Sequence, residues 1–482
     1  MTIQFYYDIL SQPCRTLYIF LKINNLPFNK HVVNLAKGHH RTEEFRKMNP
    51  LSLVPFIEEN GFVLRESVGI MRYLCREKNI PDHWYPKDYK AQAKIDEFIE
   101  WHHLGLRFPL TMFFRICHLE PLLTGKEPQK SDVERYTNAM KNSCDVMENI
   151  WLNKDCKFLF GDHLTIADLL AAMEIEQPRM CGYDPRDGRP KLTEYMDHVQ
   201  SETNPYYDEA CKLLNSISAK KISKGELKST FKREINFEEL CHVHINIVFL
   251  LIIFVLYLFN MVLKLYYDTF SQPSRAVYLF LRINDIPFEK QNVNLMTGEH
   301  KKDEFKKINP LSLVPVIDDN GFILRESVGI LRYLAHEKNL ADHWYPRDSK
   351  TQARVDEFIE WQHLGLRIPL ALFFRVGKLV PMLTGRQPPS DLLERVKKEM
   401  VNSCNVFEKF WLASDKKFLF GNNLSIADLL AVMELEQPRM AGYDPREGRP
   451  KLAMYMDRVR AATNPYYDEV CEMVYNFIKS KL

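Results

Sequence analysis

The chain holds ten cysteines in 482 residues, but no CxxC pair and no cysteine and histidine run at metal-ligand spacing. A structural zinc site is therefore not expected. Nor is there an excess of either charge: 65 Lys and Arg against 63 Asp and Glu leave +2 at pH 7. That is far from the basic footprint of a nucleic-acid binder and points to a small-molecule partner. The N-terminal MTIQFYYDIL has neither the basic start nor the apolar run of a secretory signal. Charged residues at 27% and hydrophobic residues at 46% sit near the soluble average, which argues against disorder, a collagen and a polytopic membrane protein. A chain this long exceeds the size at which one core keeps growing, so several domains are expected.

What is present is a repeat. At an offset of 260 the sequence matches itself without a gap from about residue 3 to residue 214, at roughly 60% identity, a period too long for a solenoid. Ser-Gln-Pro at 11–13 returns at 271–273, NPLSLVP at 49–55 returns at 309–315, and Met261 falls opposite Met1. Cys144 and Cys211 recur as Cys404 and Cys471, whereas Cys14, Cys75, Cys117, Cys156 and Cys181 are replaced. A disulfide framework would not lose partners so freely, so a reducing compartment is expected.

Within the first copy QFYYDI alternates like a strand and Ser-Gln-Pro opens a helix running to Asn25. Val32–Leu35, Val54–Glu58 and Gly61–Arg65 are expected as further strands, the last two joined by an Asn60-Gly61 hairpin turn, before a helix from Ser67 to Glu77. That order, βαβαββα, is the order of a thioredoxin-like domain with a mixed sheet and helices on both faces. From about Tyr89 strand signals stop and helical periodicity takes over. The expected class is α/β plus all-α, twice: a thioredoxin-like domain at 1–80 and a helical domain at 88–218, a connecting segment at 219–260, then the same pair at 261–340 and 348–482. An acid three residues after a hydroxyl, Thr165 to Asp168 and Ser425 to Asp428, gives each helical domain a capping box.

Several segments in fixed order, YYDILSQPCRTLYIFLKINNLPF, the KGHH loop, NPLSLVPFIEENGFVLRESVGIMRYL, DHWYP and FLFGDHLTIADLLAAMEI, together with DGRPKL and its counterpart EGRPKL, resemble the cytosolic glutathione transferases, the theta class in particular. The resemblance covers nearly all of both copies. It implies conjugation of the glutathione thiolate to small electrophiles such as alkyl halides, activated esters or hydroperoxides. Glutathione is then a co-substrate, with no cofactor and no metal. The competing readings are a non-catalytic binding or scaffold protein of the same fold, and a thiol–disulfide enzyme, which would need a cysteine where Ser11 and Ser271 stand.

By itself Ser11, just before Pro13, reads as a helix N-cap. The resemblance makes Ser11, and Ser271 in the second copy, the hydroxyl that donates to the glutathione thiolate at the positive end of a helix. It also implies that Val54 and Val314, each before a cis-proline, pair with the cysteinyl backbone. Ser67 and Ser327 would hold the γ-glutamyl carboxylate, and Glu66 and Glu326 the α-amino group. His40 and His300 would reach the glycyl carboxylate. Leu53 and Leu313 stand where many theta-like sequences carry lysine, and His39 becomes Glu299, so the glycyl end is expected to be held less tightly. Arg107 and Arg367, in HLGLR, are expected either to border the electrophile pocket or to form a structural ion pair.

Between the copies a basic stretch leads into Ile245–Leu263, which is free of formal charge and long enough to span a bilayer. Three readings stand: a joint between two separate proteins, a membrane anchor, or a buried linker. The expected setting is the cytoplasm, with membrane anchoring through 245–263 as the alternative. Pairing is expected either between chains or between the two copies.

Overall fold

The alternation in IQFYY produces strand β1, Ile3–Tyr7, whose first, third and fifth side chains are buried. The computed structural model describes residues 2–153, 155–222 and 262–479. β1 lies inside a four-stranded sheet of order β2-β1-β3-β4. It runs parallel to β2, Phe28–Val32, with Ile3 opposite Phe28, and antiparallel to β3, Phe56–Glu59. β3 turns into β4, Phe62–Arg65, through Asn60 and Gly61, both at positive φ (56° and 77°), as a two-residue primed turn requires.

Helix α1, Gln12–Ile23, and α3, Ser67–Glu77, pack on one face of this sheet. Most of the core lies there: Phe5, Leu17, Phe20, Ile57, Leu64 and Ile70 are fully buried. On the other face α2, Glu43–Met48, contributes Phe45 to a smaller cluster with Val33 and Phe56.

The second strand is Phe28–Val32, not Val32–Leu35. The apolar pair that suggested the later position is split, since Val32 is exposed while Val33 turns under the sheet. The strand itself is a polar edge, FNKHV, a composition that discourages pairing with another chain.

The helical domain runs from α4, Tyr89–His102, through α5, Phe108–Phe114, α6, Glu120–Thr124, α7, Lys130–Val146, α8, Ile166–Glu176, and α9, Pro190–Thr203, to α10, Tyr206–Ile222. α8 is buried along its whole length, so the backbone groups its ends leave unpaired need internal partners. The capping box supplies them: Asp168 accepts from the Thr165 N–H and hydroxyl, both at 2.8 Å, and its other oxygen accepts from the Leu159 N–H. Asp428 repeats this with Ser425 and Leu419.

α4 joins α5 through a π-helical turn, His103–Arg107. The extra residue folds the Trp101 ring onto Gly105, where a Cβ would collide with the indole; Gly365 and Trp361 repeat the arrangement. The second copy rebuilds the whole plan: β5, Leu263–Tyr267, β6, Phe288–Asn292, β7, Val316–Asp319, and β8, Phe322–Arg325, form a sheet of order β6-β5-β7-β8.

The two copies pair with each other. α3 lies against the second copy's helix Ser349–Gln362, and α4 against its helix Ser327–Glu337. At the centre Arg72 and Arg332, both fully buried, are shared by four carboxylates. Arg72 meets Asp96 at 2.6 Å, Glu100 at 3.3 Å, and Glu360. Arg332 meets Glu100 at 2.6 Å and Asp356 at 2.9 Å. The rings of His103 and His363 stack 4.6 Å apart, and each bonds the other copy's glutamate, Glu360 or Glu100, at 2.7 Å.

The edges of this contact are not symmetric. Arg76 pairs with Asp356, while its counterpart His336 stacks on Tyr89 at 4.5 Å. Arg65 lies over Phe410.

No helix among the described residues is long and apolar enough to cross a membrane. The Ile245–Leu263 run, apart from its last two residues, lies outside the described residues.

Candidate functional site

Ser11 sits where β1 hands over to α1, and buried side chains fix that corner. Asp8 accepts from the Leu10 N–H and the Leu35 N–H, both at 2.9 Å, and its carbonyl accepts from the Ser11 N–H. Arg15, 1% exposed, donates to the Ile9 and Leu10 carbonyls and reaches into the helical domain to Gln177 at 2.6 Å and the Met173 carbonyl. Arg275 does the same for Thr269, Phe270, Gln437 and Met433. The loop before each serine is thereby tied to both domains of its copy.

The Ser11 side chain makes no cap hydrogen bond, although its carbonyl accepts from Arg15 N–H as a cap should. Ser271 does accept, at a long 3.4 Å, from the Ser274 N–H. Capping therefore does not consume the Ser11 hydroxyl. Its neighbour Cys14 is fully enclosed, and burial pushes its thiol up to about 12 against the Ser11 side chain and the Asp8 backbone. A thiol held protonated is no nucleophile, which speaks against thiol–disulfide chemistry at this corner.

Ser11 opens onto a cavity of about 410 Å³. Val54, Pro55, Glu66, Ser67 and Arg107 line it too. Four stretches distant in sequence thus converge, and the Val54-Pro55 bond is cis, as is Val314-Pro315. Glu66 takes a φ of 63° at the head of α3, a region a non-glycine residue occupies only under constraint, and Glu326 repeats it at 65°. Burial pushes the Glu66 carboxyl up to about 7; Arg107 opposes this, and Glu360 and Glu357 of the second copy add to it. Glu326 is pushed to about 7 in the same way, Arg367 opposing and Glu100 and Glu97 adding.

Arg107 forms a buried ion pair and also lines the cavity. Its Nε donates to Glu174 at 2.6 Å, within its own copy, and its Nη2 is buried without a partner. Burial works to raise Glu174, but Arg107 and His102 overcome it and hold the carboxyl down to about 2. Arg367 and Glu434 repeat the pair at 2.6 Å.

His40 does not line the cavity, nor does His300 line its counterpart. His40 accepts from Arg41 Nε through Nε2 at 3.3 Å, and its Nδ1 is buried without a partner. Burial, then Arg41 and Arg46, lower its pKa.

The sequence reading missed the far wall. Glu360, Trp361, Leu364 and Gly365 close the first cavity from the other copy, and Glu100, Trp101, Leu104 and Gly105 close the second. Spacing at i, i+3 and i+4 marks these as one helix face, but nothing local says which partner that face meets. The second cavity, about 350 Å³, is bounded by Pro273, Val314, Pro315, Glu326, Ser327 and Arg367, and Ser271 lies outside its lining.

Two models of the glutathione S-transferase N-terminal domain match residues 11–77 and 261–336, and the model of its C-terminal domain matches 110–202 and 372–462. Glutathione S-transferase theta-1 of Mus musculus is 46% identical over 204 residues, 42% of this chain and 84% of that protein. Theta-2 of Homo sapiens is 40% identical over 220 residues, 46% of this chain and 88% of that protein. Among solved structures, human glutathione S-transferase T1-1 in its apo form is 40% identical, covering 45% of this chain and 91% of that one, with a TM-score of 0.44.

Proposed function

Since the chain belongs to the glutathione S-transferase family, as a tandem of two theta-like copies, we propose that each copy conjugates the glutathione thiolate to small, soft electrophiles, with a second activity toward organic hydroperoxides. The observation that carries this is the convergence of Ser11, Val54, Glu66, Ser67 and Arg107 on one cavity.

In this reading Ser67 and the free N–H groups at the head of α3 hold the γ-glutamyl carboxylate. The Glu66 carboxylate takes the ammonium, the Val54 backbone pairs with the cysteinyl backbone, and His40 turns toward the glycyl carboxylate. The thiol then lies at the N-terminus of α1. The Ser11 hydroxyl donates to its sulfur and the helix end adds partial positive charge, so the thiol gives its proton to water near neutral pH. The thiolate attacks the electrophilic carbon, the C–S bond forms, and the leaving group departs with its electron pair beside Arg107. Ser271, Val314, Glu326, Ser327, His300 and Arg367 repeat the parts. A cytoplasmic setting fits, and each copy serves as the other's partner.

The direct test is the initial rate with 4-nitrobenzyl chloride and, separately, with cumene hydroperoxide. Conjugation without peroxide reduction retires the second activity; neither rate above the uncatalysed background retires the enzyme.

Two quantitative results are expected. Ser67→Ala raises the first site's KM for glutathione by about tenfold with kcat nearly unchanged, because that contact is equal in ground and transition states; initial rates in a Ser271→Ala background check it. Second, affinity for S-methylglutathione, which has no thiol to titrate, falls as pH drops from 8 to 6. Glu66 and Glu326, at about 7 in the free protein, must be ionised to accept the ammonium, so protonation competes with binding. Calorimetry across that range should show proton release on binding near pH 6.5, and Glu66→Gln with Glu326→Gln should abolish the release.

A further inference from the structure

The two sites differ where an electrophile would lie. In the first copy Gln12, 9% exposed, donates through Nε2 to Thr111 Oγ1 at 3.2 Å, across the gap between the domains. Both side chains line the cavity with Phe108. Because Thr111 accepts from Gln12, its own hydroxyl hydrogen is available to a third group. Beside Ser11, then, the first copy offers a flat ring and a hydrogen-bond donor.

The second copy has neither at the matching positions. Ile368 stands for Phe108 and Ala371 for Thr111, and Gln272 is left more exposed than Gln12. Phe270, immediately before Ser271, replaces Leu10, and its ring meets Phe374 at 5.5 Å. The last helix brings Met473, Phe477 and Ile478 into the same cluster, where the first copy has Leu213, Ile217 and Ser218. Phe374 is consequently buried at 4% exposure, whereas its counterpart Phe114 is half-buried and faces His118 instead. The peptide-holding half of the cavity is kept in both copies. In the second, the lining stops short of Ser271.

Building on the glutathione reading, we propose that the two sites divide their electrophiles: the first copy takes flat ones carrying a hydrogen-bond acceptor, placed by Phe108, Thr111 and Gln12, and the second takes only compact apolar ones, limited by Phe270, Phe374 and Ile368. The chain is then one protein with two acceptor ranges on a shared thiol chemistry. An electrophile lacking a polar acceptor gains nothing from Thr111. One with a nitro or carbonyl group has no donor to meet at Ala371, and its ring competes for space with the aromatic cluster.

Calorimetry on the full chain with two stable conjugates tests this. S-methylglutathione should fill two sites per chain with affinities within about threefold, since its methyl group makes no demand on the acceptor side. S-(4-nitrobenzyl)glutathione should bind the first copy about tenfold or more tighter than the second, the scale by which a mismatched pocket discriminates. Thr111→Ala should weaken the tight site and leave S-methylglutathione unchanged. The same order should appear in turnover: Ser271→Ala, which disables the second site, should cost little of the 4-nitrobenzyl chloride rate, whereas Ser11→Ala, which disables the first, should remove most of that rate and keep a substantial share of the iodomethane rate. Two nitrobenzyl sites of equal affinity, with two methyl sites intact, overturn the division alone. No binding of S-methylglutathione overturns the glutathione reading and the division with it.

Discussion

Replacing Ser11 and Ser271 together by alanine lowers conjugation by about 10²-fold or more while S-methylglutathione affinity stays within a few fold. The size is that of removing one preorganised donor to developing negative charge. In the proposed mechanism the two tasks fall to different residues of the cavity, the peptide to Val54 before β3 and to Glu66 and Ser67 at the head of α3, the thiolate to Ser11 at the head of α1. A thiol titration in the presence of bound glutathione adds a readout that loss of folding would not give. The bound thiol's pKa should rise toward that of the free tripeptide in the double variant. Wild-type rates in that variant would remove Ser11 and Ser271 from the mechanism.

Arg72→Ala destabilises the pairing of the two copies by about 3–5 kcal/mol, the cost of stripping a buried charge of its partner. Arg72 and Arg332 stand among Asp96, Glu100, Asp356 and Glu360, all of them buried. Burial penalises the Glu360 carboxylate, and Arg72 with His103 holds it ionised. Without Arg72, one fully buried arginine remains for four acids. Denaturant unfolding followed by tryptophan emission checks this, because Trp101 and Trp361 each wall the other copy's cavity. Lys47→Ala, which breaks the exposed Lys47–Glu43 pair, is the control and should leave the midpoint where it was. Equal midpoints for Arg72→Ala and wild type would mean that the copies are not held by this cluster.

The sequence made some of this readable because some of it is local. The repeat, the Asn60-Gly61 turn, the helix after Ser-Gln-Pro and both capping boxes depend on residues a few positions apart, and spacing suffices for them. β2 was misplaced because an edge strand hides its period in polar residues. The corner around Ser11 was legible only as a motif. Arg15 and Asp8, which fix it, act through Gln177, Met173 and Leu35, and no local pattern joins those positions. The cavity's far wall belongs to the other copy, so Glu360, Trp361 and Leu364 could be seen as a helix face but not as part of the first site. His40 was placed on the resemblance, and the structure puts it outside the lining.

The unequal edges of the contact between the copies bear on how this chain can change over generations. In an assembly of identical subunits every substitution at the contact is made twice, and it meets itself across the axis. Here Arg76 faces Asp356, and Tyr89 faces His336. The positions opposite in the repeat, His336 for Arg76 and Ser349 for Tyr89, are free to be different residues. A tether also keeps the halves at high effective concentration, so a weakened contact is tolerated for longer. Each half can therefore drift alone, provided the matching face on the other half follows. Duplication followed by joining turns a symmetric object into two inheritable compartments, one of which can be tuned while the other keeps the original task.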